Sequence, residues 1–345
     1  MATAPVLITA ERPPLPGESD RAAKETFLPV DLDGIVSDTL LDFNLFLPAG
    51  KGKLLFFRST NLEFTNEHRL RLIDNNIRRV YVRAQEQRKY QQYLEQHLPE
   101  VLANPEIAPT KKADLLYTVS SQVVKDCLDE PRAATIVPRT RKMAEGTVDF
   151  VLRSEQSLGQ LATLMATDYY TYTHSINVAV FAVALAHKLG LSRDEVNEFA
   201  LGALLHDLGK SEVPVEILNK RGPLDNEEML KVREHVVIGE RLLRGNGRLG
   251  AVAMLAVKQH HEKIDGTGYP RGLATEQVHL FGRIAAIADC FDAMTTNRSY
   301  QQAMTAYDAL HLMKTRLSPQ FDQGLLETFI RMLRAPEAPR KINGI

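Results

Sequence analysis

The chain has 345 residues, 44% of them hydrophobic, enough for two or three folded domains with a proper apolar core. With 42 basic against 43 acidic residues the formal net charge is -1, so no bulk field draws the molecule to nucleic acid or anionic lipid, and an anionic ligand must be held by local charges. Cys127 and Cys290 are too few for a disulfide framework, and neither has a catalytic setting. The longest apolar run, 178–186, falls short of the roughly 20 residues that span a bilayer, and the N-terminus has no signal-peptide pattern. The expectation is a cytoplasmic protein with no membrane span.

Residues 1–25, with Pro13, Pro14 and Pro16 close together, read as a loose arm. Strands are expected over 40–47 and 53–58, forming a hairpin about the Ala49-Gly50-Lys51-Gly52 turn. Thr65 should cap a helix running to Ile73 and ended by Asn75-Asn76; 77–82 reads as a strand and 85–98 as a helix. Residues 26–108 thus make a small α/β domain with no chemical motif and no DNA-binding helix, best read as a regulatory or adaptor module. The three prolines of 99–109 mark a linker, after which helical periodicity resumes over 115–127, within a helical connector spanning 109–139.

From 140 to 335 every long segment reads as helix, followed by a tail over 336–345. Start signals occur at Ser192/Glu195, Asp225/Glu228 and Thr305/Asp308, with Gly190 and Gly245 as stops. The fold class is therefore mainly α: a C-terminal all-α bundle, broken by one Gly-rich loop over 265–272, plus the small N-terminal α/β domain. Cys290 should be a small apolar filler on a buried helix.

The bundle carries the chemistry. His206 follows His174 by 32 residues, His235 follows Asp207 by 28, His260 follows His235 by 25 and Asp289 follows His261 by 28. A helix of about 12 to 18 residues with its connections uses such an interval, so successive helices can deliver successive ligands to one point. The doublets His206-Asp207 and His260-His261, with neighbours about 100° apart on a helix, can each serve two adjacent metals, and Asp207 is suited to bridging them. Two cations about 3.5 to 4 Å apart suit hydrolysis of a phosphate ester. Lys210, one turn past His206, can neutralise charge developing on a phosphoryl oxygen. His68, His97, His187, His279 and His311 lack this company and read as ordinary capping or surface residues.

These motifs resemble the HD-GYP phosphodiesterases of the HD superfamily. The matching stretches are Tyr-Thr-Tyr-Thr-His174-Ser-Ile-Asn-Val, Gly-Ala-Leu-Leu-His206-Asp207-Leu-Gly-Lys210, the run from Leu224 to His235, His260-His261-Glu262-Lys-Ile-Asp265-Gly-Thr-Gly-Tyr-Pro270, and Arg283-Ile-Ala-Ala-Ile-Ala-Asp289-Cys-Phe-Asp-Ala-Met-Thr. The resemblance covers about 140–335. It implies an HD-type bundle with a di-metal core that hydrolyses cyclic di-GMP to pGpG or GMP, with iron or manganese as the metal. The implied ligands are His174, His206, Asp207, His235, His260, His261 and Asp289. Asp207 and Lys210 would be catalytic, and Lys210, Tyr269, Arg283 and Arg298 would contact substrate. Tyr269 could stack on a guanine or orient its loop.

The chain also departs from the family pattern. Tyr170 stands where some members carry a third-metal glutamate, leaving Asp168 as a weak substitute. Arg298-Ser299-Tyr300-Gln301 replaces Arg-Pro-Tyr-Lys/Arg, so one phosphate charge is missing, and Lys220-Arg221-Gly222 replaces Lys-Pro-Gly, with Arg221 a replacement charge. Rival expectations are a catalytically weak cyclic-dinucleotide receptor, or a phosphohydrolase of another nucleotide. A homodimer seam along 112–150 or a signalling-protein partner completes the expected interactions.

Overall fold

A computed structural model describes residues 26–50, 52–153, 155–165, 171–245, 249–297 and 302–333. The expected arm and tail, with Asp168, Tyr170, Arg298, Ser299, Tyr300 and Gln301, lie outside the described residues. The chain divides into two compact units, Met1–Val119 and Ser120–Ile345.

The first unit contains β1 (Phe27–Asp31), β2 (Thr39–Leu40), β3 (Leu45–Pro48), β4 (Leu54–Arg58), β5 (Glu63–Phe64), α1 (Asn66–Asp74), β6 (Arg79–Arg83) and α2 (Gln87–Ala103). An antiparallel sheet runs in the order β1-β6-β3-β4, while β2 and β5 pair separately. Period-two alternation builds it: Val80 and Val82 enter a core with Leu45, Phe43 and Tyr93, whereas Tyr81 packs with Phe27, Phe46 and Leu54. Thr65 caps α1 by accepting from His68 N, and Asn75 closes it.

Two expectations for this unit need correction. The strand expected over 40–47 is two strands, because the Asn44 side chain donates to Glu86 and accepts from Thr60 N, which replaces ladder pairing at the bend. The helix expected to stop at Leu98 continues through Pro99 to Ala103; buried Leu98, Val101 and Leu102 outweigh the amide hydrogen bond that proline forgoes. β1 and β5 were not anticipated.

The division falls within α3 (Pro109–Asp129). The second unit continues with α4 (Ile136–Arg153), α5 (Glu155–Leu164), α6 (Thr171–Lys188), α7 (Arg193–Leu205), a 3-10 turn (Leu208–Glu212), α8 (Val215–Leu218), α9 (Asn226–Arg233), α10 (His235–Gly245), α11 (Ala251–Gln259), α12 (Leu280–Thr295), α13 (Ala306–Thr315) and α14 (Gln323–Leu333). Ser192 with Glu195 and Asp225 with Glu228 form reciprocal caps at the starts of α7 and α9, and Thr305 caps α13. Gly190, with φ +76°, ends α6.

α6 is buried on every side from Thr173 to Ala186, the mark of a central helix. α7 packs on α4, α6 and α11; α12 packs on α6 and α11; α14 also leans on α6. Each fully buried Val, Leu or Phe in this centre contributes about 1.5–3 kcal/mol. No helix among the described residues is long and apolar enough to cross a membrane.

Candidate metal centre

Five helices supply the cluster. His174 lies in the first turn of α6, and Asp289 near the middle of α12. His206 and Asp207 follow the last residue of α7, His235 begins α10, and His260-His261 follow α11. The doublets therefore straddle helix ends instead of lying within helices as expected. Near-helical torsions at His206 (φ -56°, ψ -35°) and His260 (φ -63°, ψ -18°) keep the divergence of neighbouring side chains.

Close backbone approach makes the convergence possible. A Cβ on Gly209 would stand 1.9 Å from His235 O, so glycine there lets the turn after Asp207 rest directly on α10.

Asp207 is the centre of the arrangement. Its Oδ1 lies 3.3 Å from His235 Nε2 and 3.9 Å from His260 Nε2, and its Oδ2 lies 3.4 Å from His206 Nε2 and 3.6 Å from His174 Nε2. Potential ligand atoms fall into two groups that share this residue: Asp207, His235, His260 and His261, and His174, His206 and Asp207. Asp289 spans the same space, with Oδ1 2.9 Å from His174 Nε2 and Oδ2 3.4 Å from His261 Nδ1.

Three of the imidazoles are oriented by backbone carbonyls. Nδ1 of His206 faces Ala203 O, that of His235 faces Val232 O, and that of His260 faces Ala256 O and Val257 O. A carbonyl only accepts, so Nδ1 carries the proton and each Nε2 presents a lone pair inward. His235 Nε2 and His260 Nε2 are then two acceptors only 3.2 Å apart, a contact that a shared cation relieves. His206 Nε2 and Asp207 Oδ1 are buried without a hydrogen-bond partner among the described residues. Orphaned buried acceptors around one space fit divalent cations, and the His/Asp donor set is of the right kind.

Electrostatics agree. Burial opposes ionisation of Asp207, yet Lys210, His206 and His235 outweigh it and hold the carboxyl well below the usual range. Asp289 is likewise held low against burial by His261 and His174. Burial pushes His235 down to about 4 and His261 to about 3, and drives His260 well below its usual value, so all three stay neutral lone-pair donors near pH 7.

A family model described as HD domain matches residues 147–325, which contain every one of these side chains. The chain belongs to the HD domain family. Among relatives of this HD-domain protein, "Cyclic di-GMP phosphodiesterase PA4108" of Pseudomonas aeruginosa is 40% identical over 52% of this chain and 44% of the relative. "Cyclic di-GMP phosphodiesterase response regulator RpfG" of Xanthomonas campestris is 36% identical over 52% and 48%. "3'3'-cGAMP-specific phosphodiesterase 3" of Vibrio cholerae is 39% identical over 44% and 33%. The chain thus spans less than half the length of these curated relatives. Bd1817, a HDG"Y"P protein from Bdellovibrio bacteriovorus, shares the fold, with a TM-score of 0.64 at 20% identity over 90% of this chain and 100% of that one.

The other expected site residues are placed as follows. Lys210 donates to Asp207 Oδ2 and is mostly buried. Tyr269 stacks on His261 with centroids 4.6 Å apart, and its N–H donates to His261 O, so it is fixed to the cluster through its own loop. Arg283 is engaged elsewhere: its guanidinium donates to Val278 O, Thr275 O and Asp322. Arg221 is exposed, and Cys290 on α12 is only partly buried. His68 caps α1 and His279 caps α12, in keeping with ordinary roles.

Three residues escaped the sequence reading. Asp292, 1% exposed, accepts from His174 Nδ1 at 2.6 Å and from Asn177 at 2.8 Å, which fixes the His174 ring. Its signal was the i, i+3 spacing from Asp289. Glu262, also 1% exposed, accepts from Arg271 N and Leu273 N and so clamps the Gly-rich loop beside His261. Arg233 lies over the Tyr269 ring.

Proposed function

We propose that this chain is a metal-dependent phosphodiesterase that hydrolyses cyclic di-GMP, to pGpG or onward to GMP. The observation that carries the reading is Asp207, one buried carboxylate shared by two groups of potential metal ligands with a lysine ammonium against it. The names of relatives at 36–40% identity support the substrate.

The ligand set of this reading is His174, His206, Asp207, His235, His260, His261 and Asp289, holding two cations, iron or manganese. When bound, such a pair supplies water activation near neutral pH and neutralisation of charge on both entering and leaving oxygens. Asp207 fixes the separation of the two halves of the centre and holds Lys210 at its edge. Lys210 offers its ammonium to the non-bridging phosphoryl oxygens, where negative charge grows during displacement. Burial keeps His235, His260 and His261 unprotonated and excludes bulk water from the reacting group. Asp292 and Glu262 position His174 and the Tyr269 loop without touching substrate.

A second cyclic dinucleotide is a specific alternative, because one relative at 39% identity is named for 3'3'-cGAMP. The N-terminal unit serves in this reading as an adaptor or regulatory module of a cytoplasmic enzyme, with α3 and α4 as a dimer seam or a route to a signalling partner.

The test is turnover by protein purified anaerobically and supplied with Fe(II) or Mn(II). Cyclic di-GMP and 3'3'-cGAMP are compared, products are separated by chromatography and metal is counted per chain. Release of pGpG or GMP, abolished in Asp207→Ala, is the expected result. Two metals per chain with tight ligand binding and no hydrolysis would instead make the protein a receptor.

A further inference from the structure

Arg233 is the last residue of α9 and lies two positions before His235. Its guanidinium carbon stands 5.0 Å from the centroid of the Tyr269 ring. Tyr269 stacks on His261 at 4.6 Å and meets His235 edge-on at 6.4 Å. A column thus runs from an exposed guanidinium, through an aromatic ring, to an imidazole of the cluster. Arg241, Arg244 and Arg283 each donate to a carboxylate, but the Arg233 guanidinium has no ion pair or hydrogen bond among the described residues. Glu228, five positions back on α9, is engaged by Lys220.

A guanidinium stacked on an aromatic face is held in place while its N–H donors remain available for a planar, bidentate anion contact. The nearby ammonium of Lys210 is already matched by Asp207. Among the described residues, Arg233 is therefore a positive partner available to an anionic group that a substrate carries beyond the one at the cluster. We propose that Arg233 is a substrate-binding residue that takes the second phosphodiester of a cyclic dinucleotide while the first lies at the His/Asp cluster, with Tyr269 as the platform fixing the guanidinium. This rests on the phosphodiesterase reading, and it makes a substrate with two phosphates, rather than a simple diester, the one the site favours.

The experiment compares metal-loaded full-length wild type with Arg233→Ala and Arg233→Lys, metal per chain being counted in each. Steady-state kinetics are measured on cyclic di-GMP and 3'3'-cGAMP, together with the Ki of inorganic phosphate, which has no second anionic group. Loss of a charge-assisted contact should raise KM for the cyclic dinucleotide by about 10- to 100-fold in Arg233→Ala. In that variant kcat should stay within about threefold, the signature of lost ground-state binding. Arg233→Lys should recover part of the loss, and the phosphate Ki should move far less than KM. An unchanged KM, or equal weakening of dinucleotide and phosphate, would overturn the inference while leaving the enzyme reading intact. A wild type that turns over neither dinucleotide would remove both.

Discussion

Without bound metal, lowering the pH should destabilise the bundle over a defined window. His235 is pushed from 6.5 down to about 4 and His261 from 6.5 to about 3, in both cases mainly by burial, with the attraction of Asp207 and Asp289 too weak to compensate. In the unfolded chain both imidazoles protonate near their ordinary value of about 6.5. Between about pH 6.5 and 4 the unfolded state therefore holds about two more protons than the folded one. Stability is complete above that window and falls as pH drops through it, by about 1.4 kcal/mol per unit for each imidazole. Going from pH 7 to pH 5 should cost about 4 kcal/mol, a large share of the 5–15 kcal/mol typical of a folded domain. His260, driven the same way, adds to the slope. Asp207 and Asp289, held well below 3.8, contribute stability that is present above about pH 4 and lost only at lower pH, as it falls through their folded values. Urea midpoints by circular dichroism, taken in EDTA at pH 7, 6 and 5, read the effect directly, because a shift at constant m is a change in stability. A midpoint that is flat between pH 7 and 5 would refute the picture of imidazoles buried neutral. Mn(II) should raise the midpoint at pH 7 and lose that effect as protons compete for the ligands.

Asp292→Asn removes the anionic acceptor of His174 Nδ1, and metal affinity by competition with a chelating dye should fall about 10- to 100-fold; unchanged affinity would mean that α6 packing alone orients the ring. Glu262→Gln keeps the volume but sets an amide N–H₂ against one of the two backbone N–H donors of the loop. The amides of Arg271 and Leu273 should then exchange faster in hydrogen-exchange mass spectrometry while metal content holds, and unaltered protection would count against the clamp. Gly209→Ala drives a methyl onto His235 O, so thermal stability should drop by the equivalent of at least about 3 kcal/mol; a loss under about 1 kcal/mol would show that the turn can retreat from α10.

What the sequence revealed and what it hid have separate physical causes. The starts of α7, α9 and α13 were legible because a cap is a local bargain between residues three apart, visible at Ser192/Glu195, Asp225/Glu228 and Thr305/Asp308. The cluster was legible because paired imidazoles and carboxylates at helix-length intervals are rare without a ligand to hold. Asp292 and Arg233 were hidden because a charged residue on a helix has a role only once the facing surface is known, here His174 in one case and Tyr269 in the other. Arg283 shows the converse: it sits in a motif-like run, but Asp322, 39 positions away, claims its guanidinium. Pro99 misled because the local cost of proline was weighed without the burial of Leu98, Val101 and Leu102.

The position of His206, His235 and His260 beside helix ends explains how one chain orients three imidazoles without a separate acceptor side chain for each. The last four carbonyls of a helix have no amide partner within it, and they carry the negative end of the helix dipole. Ala203 lies in the last turn of α7, Val232 in that of α9, and Ala256 and Val257 in that of α11, and these carbonyls take the Nδ1 protons of His206, His235 and His260. Each helix end gains a donor that it lacked, and each ring is locked with Nε2 facing inward. The same carbonyl draws the imidazole toward its protonated form, as Val232 does for His235, but burial prevails and leaves the ring neutral. Had the histidines sat mid-helix, the carbonyls behind them would already be bonded, and the rings would need acceptors from other helices. His174 lies in the first turn of α6 rather than at a helix C-terminus, and its Nδ1 proton is held by Asp292 from α12. The carboxylate that sequence reading missed is thus the one the geometry of helix ends demands.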